Sequence, residues 1–338
     1  MSDNPEIRKD YLTGDWVLLA PGRGKRPHDF SEESPSENLP EYDPRCPFCP
    51  GGIADRTQPS IYEVRDENGQ WVLRSILNKY PALKPEVRFD IRLTEEGYKY
   101  RTGYGFHEVI IESNKHNVPL NFPDAPKAHV ERVLAAYLER FKHYRENGKN
   151  IRMVIIFKNY GPLAGASLIH PHSQLIATPV VGGHYRKIWD NMRTWQDENG
   201  TCLICWMINR EMLSGTRIIY KNEHFIAFAP FASSVAYQVM IAPLEHSCSF
   251  AKLKKQRISH LADIVGKVLG AIKKALGNPS FNLVIKSPPF DEEDFFAHWY
   301  MEILPRTAHF AGFELGSRMS INTVLPEEAA ELLRENLP

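Results

Sequence analysis

Between residues 126 and 147 apolar side chains recur at helical spacing, at Val130, Val133, Leu134, Tyr137, Leu138 and Phe141, and this predicts one long amphipathic helix. Ahead of it the pattern shortens to the alternation of strands. Residues 11–20 read as a strand pair around a Thr-Gly-Asp turn, and 61–66, 71–77 and 106–112 read as β-branched strands. Behind it, 151–157 is an apolar run of the kind a buried strand has, followed by a Gly/Pro loop and a strand through Gln174. From about residue 185 the order begins again. A helix is expected at 203–213, strands near 216–220, 224–229 and 236–242, a helix at about 255–276, and strands at 281–286 and 298–304. Residues 106–116 lie over 236–246 without a gap, so the chain reads as an internal duplication with halves at 1–184 and 185–338.

Composition narrows the function. The chain has 338 residues, with 41 Lys and Arg balanced by 41 Asp and Glu, and so lacks the basic excess of most nucleic-acid binders. No window reaches the ~18 uninterrupted apolar residues of a membrane span, and the first residues lack the layout of a signal peptide. A cytoplasmic protein is expected, with neither membrane nor nucleic acid as partner. Residues 31–50, rich in Ser, Glu and Pro, read as an extended surface loop.

Four of the five cysteines fall in Cys-x-x-Cys pairs, Cys46 with Cys49 and Cys202 with Cys205. Each pair is followed by two well-spaced histidines, His116 and His170 in one half, His246 and His298 in the other. Two soft thiolates on one knuckle plus two imidazoles make a closed Cys2His2 shell, so one or two structural zinc ions are expected. A redox reading of Cys46-Pro-Phe-Cys49 needs a helix after the first cysteine, which Pro50-Gly51-Gly52 opposes. For Cys202-Leu-Ile-Cys205 an apolar helical pair is the competing reading.

Residues 159–174 carry the most chemistry. Gly161, Gly165, Ala166 and Ser167 leave room for phosphate oxygens to reach backbone N–H groups, with Asn159, Ser167 and Gln174 as side-chain donors. His170 and His172 lie on one face of an extended segment. With His170 taken by the metal, His172 is left as a nucleophile toward phosphorus. In the second half the matching position is Tyr300, so only the first half keeps the nucleophile. Arg23, Lys25 and Arg26 are candidate phosphate contacts, and Asn78, beside an aromatic residue in Leu77-Asn-Lys-Tyr-Pro-Ala-Leu83, is a candidate base contact.

These motifs together resemble the galactose-1-phosphate uridylyltransferase branch of the histidine triad superfamily. The resemblance rests on Arg23-Gly-Lys-Arg-Pro27, Cys46-Pro-Phe-Cys49, residues 77–83, Glu112-Ser-Asn-Lys-His116, the 159–174 signature and His298-Trp-Tyr-Met-Glu-Ile-Leu-Pro305. It implies an α+β fold of two histidine-triad-like halves, each an antiparallel half-barrel sheet with helices outside, and a homodimer. It further implies that His172 accepts a uridylyl group in a ping-pong reaction between a nucleoside diphosphate-hexose, UDP-glucose, and a hexose 1-phosphate, galactose 1-phosphate. Cys46, Cys49, His116 and His170 then hold the metal, and Asn159, Ser167 and Gln174 contact the phosphates. Ser173, Tyr300 and the second Cys2His2 set are also similar to ADP-sugar phosphorylases, which use the same histidine chemistry with adenylate and phosphate. A non-catalytic zinc- and nucleotide-binding protein is the remaining alternative, and it leaves His172 unexplained.

Overall fold

The computed structural model describes residues 4–25 and 39–338. Its centre is one ten-stranded antiparallel sheet. The first half of the chain supplies β3 (Tyr62–Arg65), β4 (Trp71–Leu77), β7 (Phe106–Ile111), β8 (Met153–Tyr160) and β9 (His172–Thr178). The second supplies β10 (Ile218–Lys221), β11 (Phe225–Phe228), β12 (Val239–Pro243), β13 (Phe281–Lys286) and β14 (Tyr300–Pro305). The order is β10-β11-β12-β14-β13-β8-β9-β7-β4-β3, so the two sets of five meet at the β8–β13 ladder and run outward in matching sequence. The sheets expected for the two halves are therefore joined into one.

Helices cover both faces. One face carries α2 (Lys127–Asn147), α5 (Ile258–Leu276) and α7 (Pro326–Glu335), whose apolar stripes meet Ile110, Ile156, Leu175, Leu283 and Ile303 in the main core. α2 buries the side chains whose spacing predicts it, Val130 through Phe141, with none more than 1% exposed. In α5, Gly266 and Gly270 admit residue 122. A Cβ at Gly270 would stand 2.2 Å from the Phe122 carbonyl oxygen and one at Gly266 2.6 Å from its ring. The other face is covered in two places: α3 (Gly183–Asn199) and α4 (Leu203–Ser214) pack on Ile226, Phe228, Met240 and Tyr300, and the 46–54 knuckle, which runs into α1 (Ile53–Thr57), packs on Ile76, Val109 and Ile111.

Smaller pieces complete the fold. β1 (Glu6–Lys9) and β2 (Trp16–Leu19) form the expected N-terminal pair, with the first strand earlier than 11–20 and with β15 (Ser320–Asn322) added in parallel. β5 (Ile91–Leu93) pairs with β6 (Lys99–Arg101), and α6 (Gly312–Ser317) precedes β15. The gap-free overlay of 106–116 on 236–246 is one residue out within the strands. Val109 lies opposite Gln174 and Met240 opposite Glu302, so the ladders match Val109 with Met240 rather than Val239. Among the described residues no helix is long and apolar enough to cross a membrane.

Candidate active site

The first cysteine pair and its two histidines come together. The ligand atoms of Cys46, Cys49, His116 and His170 all lie within 4.8 Å of one another, and all four residues are buried. His170 Nδ1 is 3.5 Å from Cys46 Sγ and 3.6 Å from Cys49 Sγ, while His116 Nδ1 is 3.5 Å from Cys49 Sγ. His170 Nε2 faces the Ser113 carbonyl at 2.8 Å. A carbonyl only accepts, so Nε2 carries the proton and the Nδ1 lone pair points at the thiols. Burial lowers the His170 pKa to about 4, which keeps the ring neutral and able to ligate, and pushes the Cys46 thiol up to about 11, a shift that a bound cation reverses. This set, and Cys202, Cys205, His246 and His298, could each hold a metal ion.

The second set is looser. His298 Nδ1 is 3.8 Å from Cys202 Sγ and 3.5 Å from Cys205 Sγ, Cys205 is partly exposed and His246 is exposed. His298 Nε2 is buried with no hydrogen-bond partner among the described residues, unlike its counterpart in His170.

His172 begins β9, two residues past His170. Its Nδ1 lies 2.8 Å from the His170 carbonyl oxygen, so Nδ1 carries the proton and the Nε2 lone pair of the neutral ring is left over. Burial, with the Lys158 charge acting the same way, holds its pKa below the ordinary imidazole value. The Phe48 ring packs edge-on against the imidazole at 5.5 Å. On the opposite face of the sheet, Lys158 Nζ reaches Glu112 Oε2 at 2.8 Å and the His172 carbonyl at 3.3 Å. Glu112 also accepts from Ser173 Oγ and, at 3.1 Å, from Tyr137 Oη. This buried network holds the backbone of β9 in place.

His172 lines a pocket of about 630 Å³ together with Lys158, Asn159, Gly161, Ala166 and Ser167. Gly161 and Gly165 both have φ of 80°, a conformation that glycine reaches without Cβ strain, and they turn the chain around the short 3-10 helix Pro162–Ala164. Asn159 Oδ1 accepts from Asn282 Nδ2 at 2.9 Å, which leaves Asn159 Nδ2 as a donor. Asn282 Nδ2 also donates to the Ala164 carbonyl at 2.9 Å, and Arg306 Nε donates to Asn282 Oδ1. Residues from the second half thus set the 159–166 loop, and Lys273 and Asn278 form part of the pocket wall.

Other expected contacts stand elsewhere. Gln174 does not line this pocket. Its Oε1 is 2.8 Å from His107 Nε2, and Asn78 Nδ2 is 3.2 Å from the same nitrogen. Asn78 and His107 line a separate pocket of about 270 Å³ with Lys79 and Lys84. Gly165 shapes the loop without lining the pocket. Arg23 is exposed in the turn Pro21–Lys25 and lines neither pocket; Arg26 and residues 31–38 of the 31–50 loop lie outside the described residues. Sequence reasoning missed Lys158, Glu112, His107 and Asn282. Only the charge of Lys158 inside an apolar strand signalled one of them.

Comparison with known proteins gives the family. The model for the galactose-1-phosphate uridyl transferase N-terminal domain matches residues 1–182, and one for a domain of unknown function matches 105–337. The ADP-glucose phosphorylase of Arabidopsis thaliana is 34% identical, over 99% of this chain and 93% of that protein. The galactose-1-phosphate uridylyltransferase of Thermotoga maritima is 29% identical, over 98% of each. A crystal structure of the Arabidopsis thaliana ADP-glucose phosphorylase with bound ADP-glucose superposes with a TM-score of 0.82 at 32% identity, covering 98% of this chain and 99% of that one. With the fold, the whole length and the N-terminal domain all matched, the chain belongs to the galactose-1-phosphate uridylyltransferase family of enzymes.

Proposed function

We propose that the protein is a nucleotidyltransferase working by a covalent nucleotidyl-His172 intermediate on a nucleoside diphosphate-hexose. The observation that carries this is the tautomer of His172, whose Nδ1–H is committed to the His170 carbonyl and whose Nε2 makes no hydrogen bond among the described residues. Nε2 attacks the α-phosphorus, forming a P–N bond as the bond from phosphorus to the bridging oxygen breaks, and hexose 1-phosphate leaves with the electron pair. The positive charge that develops on the ring is met by the His170 carbonyl, and the charge on the phosphoryl oxygens by Asn159 Nδ2, Ser167 and the loop amides. An acceptor phosphate oxygen then attacks the same phosphorus and returns Nε2 to its free state. Arg23, Arg26, Asn78, Gly165 and Gln174 are proposed as further nucleotide contacts; His107, which donates to Gln174 Oε1, stands between Gln174 and Asn78.

Adenylyl transfer from an ADP-hexose to phosphate is the first reading of the donor and acceptor, because the 34% identity to the Arabidopsis thaliana ADP-glucose phosphorylase extends over 99% of the chain. Uridylyl transfer between UDP-glucose and galactose 1-phosphate is the second, supported by the family-model match over 1–182. Both Cys2His2 sets are proposed to hold structural zinc. Zn–S of about 2.3 Å and Zn–N of about 2.0–2.1 Å in a tetrahedron require an S···N edge of about 3.6 Å, which the 3.5 and 3.6 Å separations of the first set match. Bound there, zinc ties the 46–54 knuckle to β9. The proposed units are 1–184 and 185–338, in a cytoplasmic homodimer.

Product analysis tests the donor. ADP-glucose with inorganic phosphate is expected to give ADP and glucose 1-phosphate. UDP-glucose with galactose 1-phosphate giving the faster turnover reverses the order of the two readings, and no transfer in either mixture contradicts the proposal.

A further inference from the structure

The two halves of the sheet place a second set of side chains where the first half has its nucleophile. Two residues past His170 comes His172 and two past His298 comes Tyr300; four past come Gln174 and Glu302. Gln174 lies opposite Phe157 and Glu302 opposite Val284. Two residues further along those strands are Asn159 and Lys286. On the other side, Val109 lies opposite Gln174 and Met240 opposite Glu302, which matches His107 with Gln238. His172, Gln174, Asn159 and His107 therefore have counterparts in Tyr300, Glu302, Lys286 and Gln238, and each of the four is a different chemical group.

These counterparts are gathered around a cavity. Tyr300, Lys286, Glu302 and Gln238 line a pocket of about 260 Å³, together with Asp10 and Trp16 from the β1–β2 turn and strand and with Asp15 and Arg318. Tyr300 is 1% exposed, yet its hydroxyl makes no hydrogen bond among the described residues. Glu302 is held by Gln238 Nε2 at 3.3 Å and by Lys286 at 3.6 Å. Asp10 is held by the Leu12 amide at 2.9 Å and Thr13 Oγ1 at 2.7 Å.

The chemistry of the wall selects the occupant. Asp10, Asp15 and Glu302 outnumber Lys286 and Arg318 in this wall, so it lacks the net positive charge with which a site draws phosphate. Carboxylates, an amide, an ammonium and a phenol beside an indole face offer paired donors and acceptors to a hydroxyl-rich neutral ring. The volume falls below the ~300 Å³ at which sites for larger small molecules begin. We infer that the second half keeps a binding pocket for a neutral monosaccharide, with the Tyr300 hydroxyl and the Glu302 carboxylate as its central contacts.

The emission of Trp16 gives the test. D-glucose, D-galactose and D-mannose are titrated separately into the full chain, and into Trp16→Phe, Tyr300→Phe, Glu302→Gln and His172→Ala proteins with matching thermal stability. At least one hexose should give a saturable emission change that is absent from Trp16→Phe and unaltered in His172→Ala. Its affinity should fall about tenfold in Glu302→Gln and less steeply in Tyr300→Phe, as expected for a lost buried hydrogen bond to a charged and to a neutral group. Inorganic phosphate should not compete. No saturable change with any of the three sugars, or a change that Tyr300→Phe and Glu302→Gln leave intact, overturns the inference.

Discussion

The backbone carbonyl of His170 accepts the Nδ1 proton of His172 across 2.8 Å, while the His170 ring itself turns Nδ1 toward two thiols. Two histidines separated by one proline thus carry opposite tautomers. In the proposed mechanism one ligates and the other attacks, and the position of the second depends on the first.

Loss of a ligand in the first cluster is therefore expected to act on catalysis through position. Cys49→Ser should lower the single-turnover rate of nucleotidyl transfer by about ten- to a hundredfold, the range typical when the support of a site is weakened. Rapid-quench measurement checks this, and a metal-free Cys49→Ser protein with the wild-type rate contradicts it.

The Lys158–Glu112 pair lies behind β9 with side chains 3% and 0% exposed. Removing one partner strands the other charge. Lys158→Met is expected to cost about 3–5 kcal/mol, read as a lower denaturant midpoint at unchanged slope, whereas Lys158→Met with Glu112→Gln should recover part of the loss. A double variant no more stable than the single one counts against this account.

The two metal sites should differ in lability. His170 is anchored through Ser113 in a fully buried set, whereas His298 Nε2 has no partner among the described residues and His246 is exposed. A competing chromogenic chelator is expected to remove metal in two phases, the fast one lost in Cys205→Ser and the slow one in Cys49→Ser. Equal rates at the two sites contradict the geometry.

His129, buried at the start of α2, has its pKa lowered to about 4, by burial first and with Arg132 and Lys158 adding to the effect. The unfolded chain takes up this proton below about 6.5, the folded chain only below about 4. Stability is therefore complete above pH 6.5 and falls as pH drops through the window, by roughly 3 kcal/mol in total. His129→Gln should flatten the pH dependence of the denaturation free energy between pH 4 and 6.5, and parallel curves for the two proteins contradict the assignment.

Much of this was legible because the signals were local. α2 and α5 announced themselves by apolar spacing, β8 by an apolar run, and the Cys2His2 sets by residue types that have few other reasons to recur in the same order. α3 was missed because its buried Tyr185, Ile188, Trp189 and Met192 are diluted by charged neighbours, and β15 because three residues carry no period. What sequence could not supply was pairing across the chain: Asn282 bonding Asn159, His107 donating to Gln174 Oε1 and lying beside Asn78, and the β8–β13 ladder that merges the sheets. All depend on register, which becomes visible only when strands distant in sequence lie side by side.

Trapping shows whether a covalent bond to His172 forms. The protein is mixed with ADP-glucose or UDP-glucose labelled at the α-phosphate, denatured in base and digested. Acid-labile label is expected on the peptide containing His172, from at least one of the two donors, and none in His172→Ala. Label that persists in His172→Ala, or turnover without any labelled protein, would contradict the covalent mechanism.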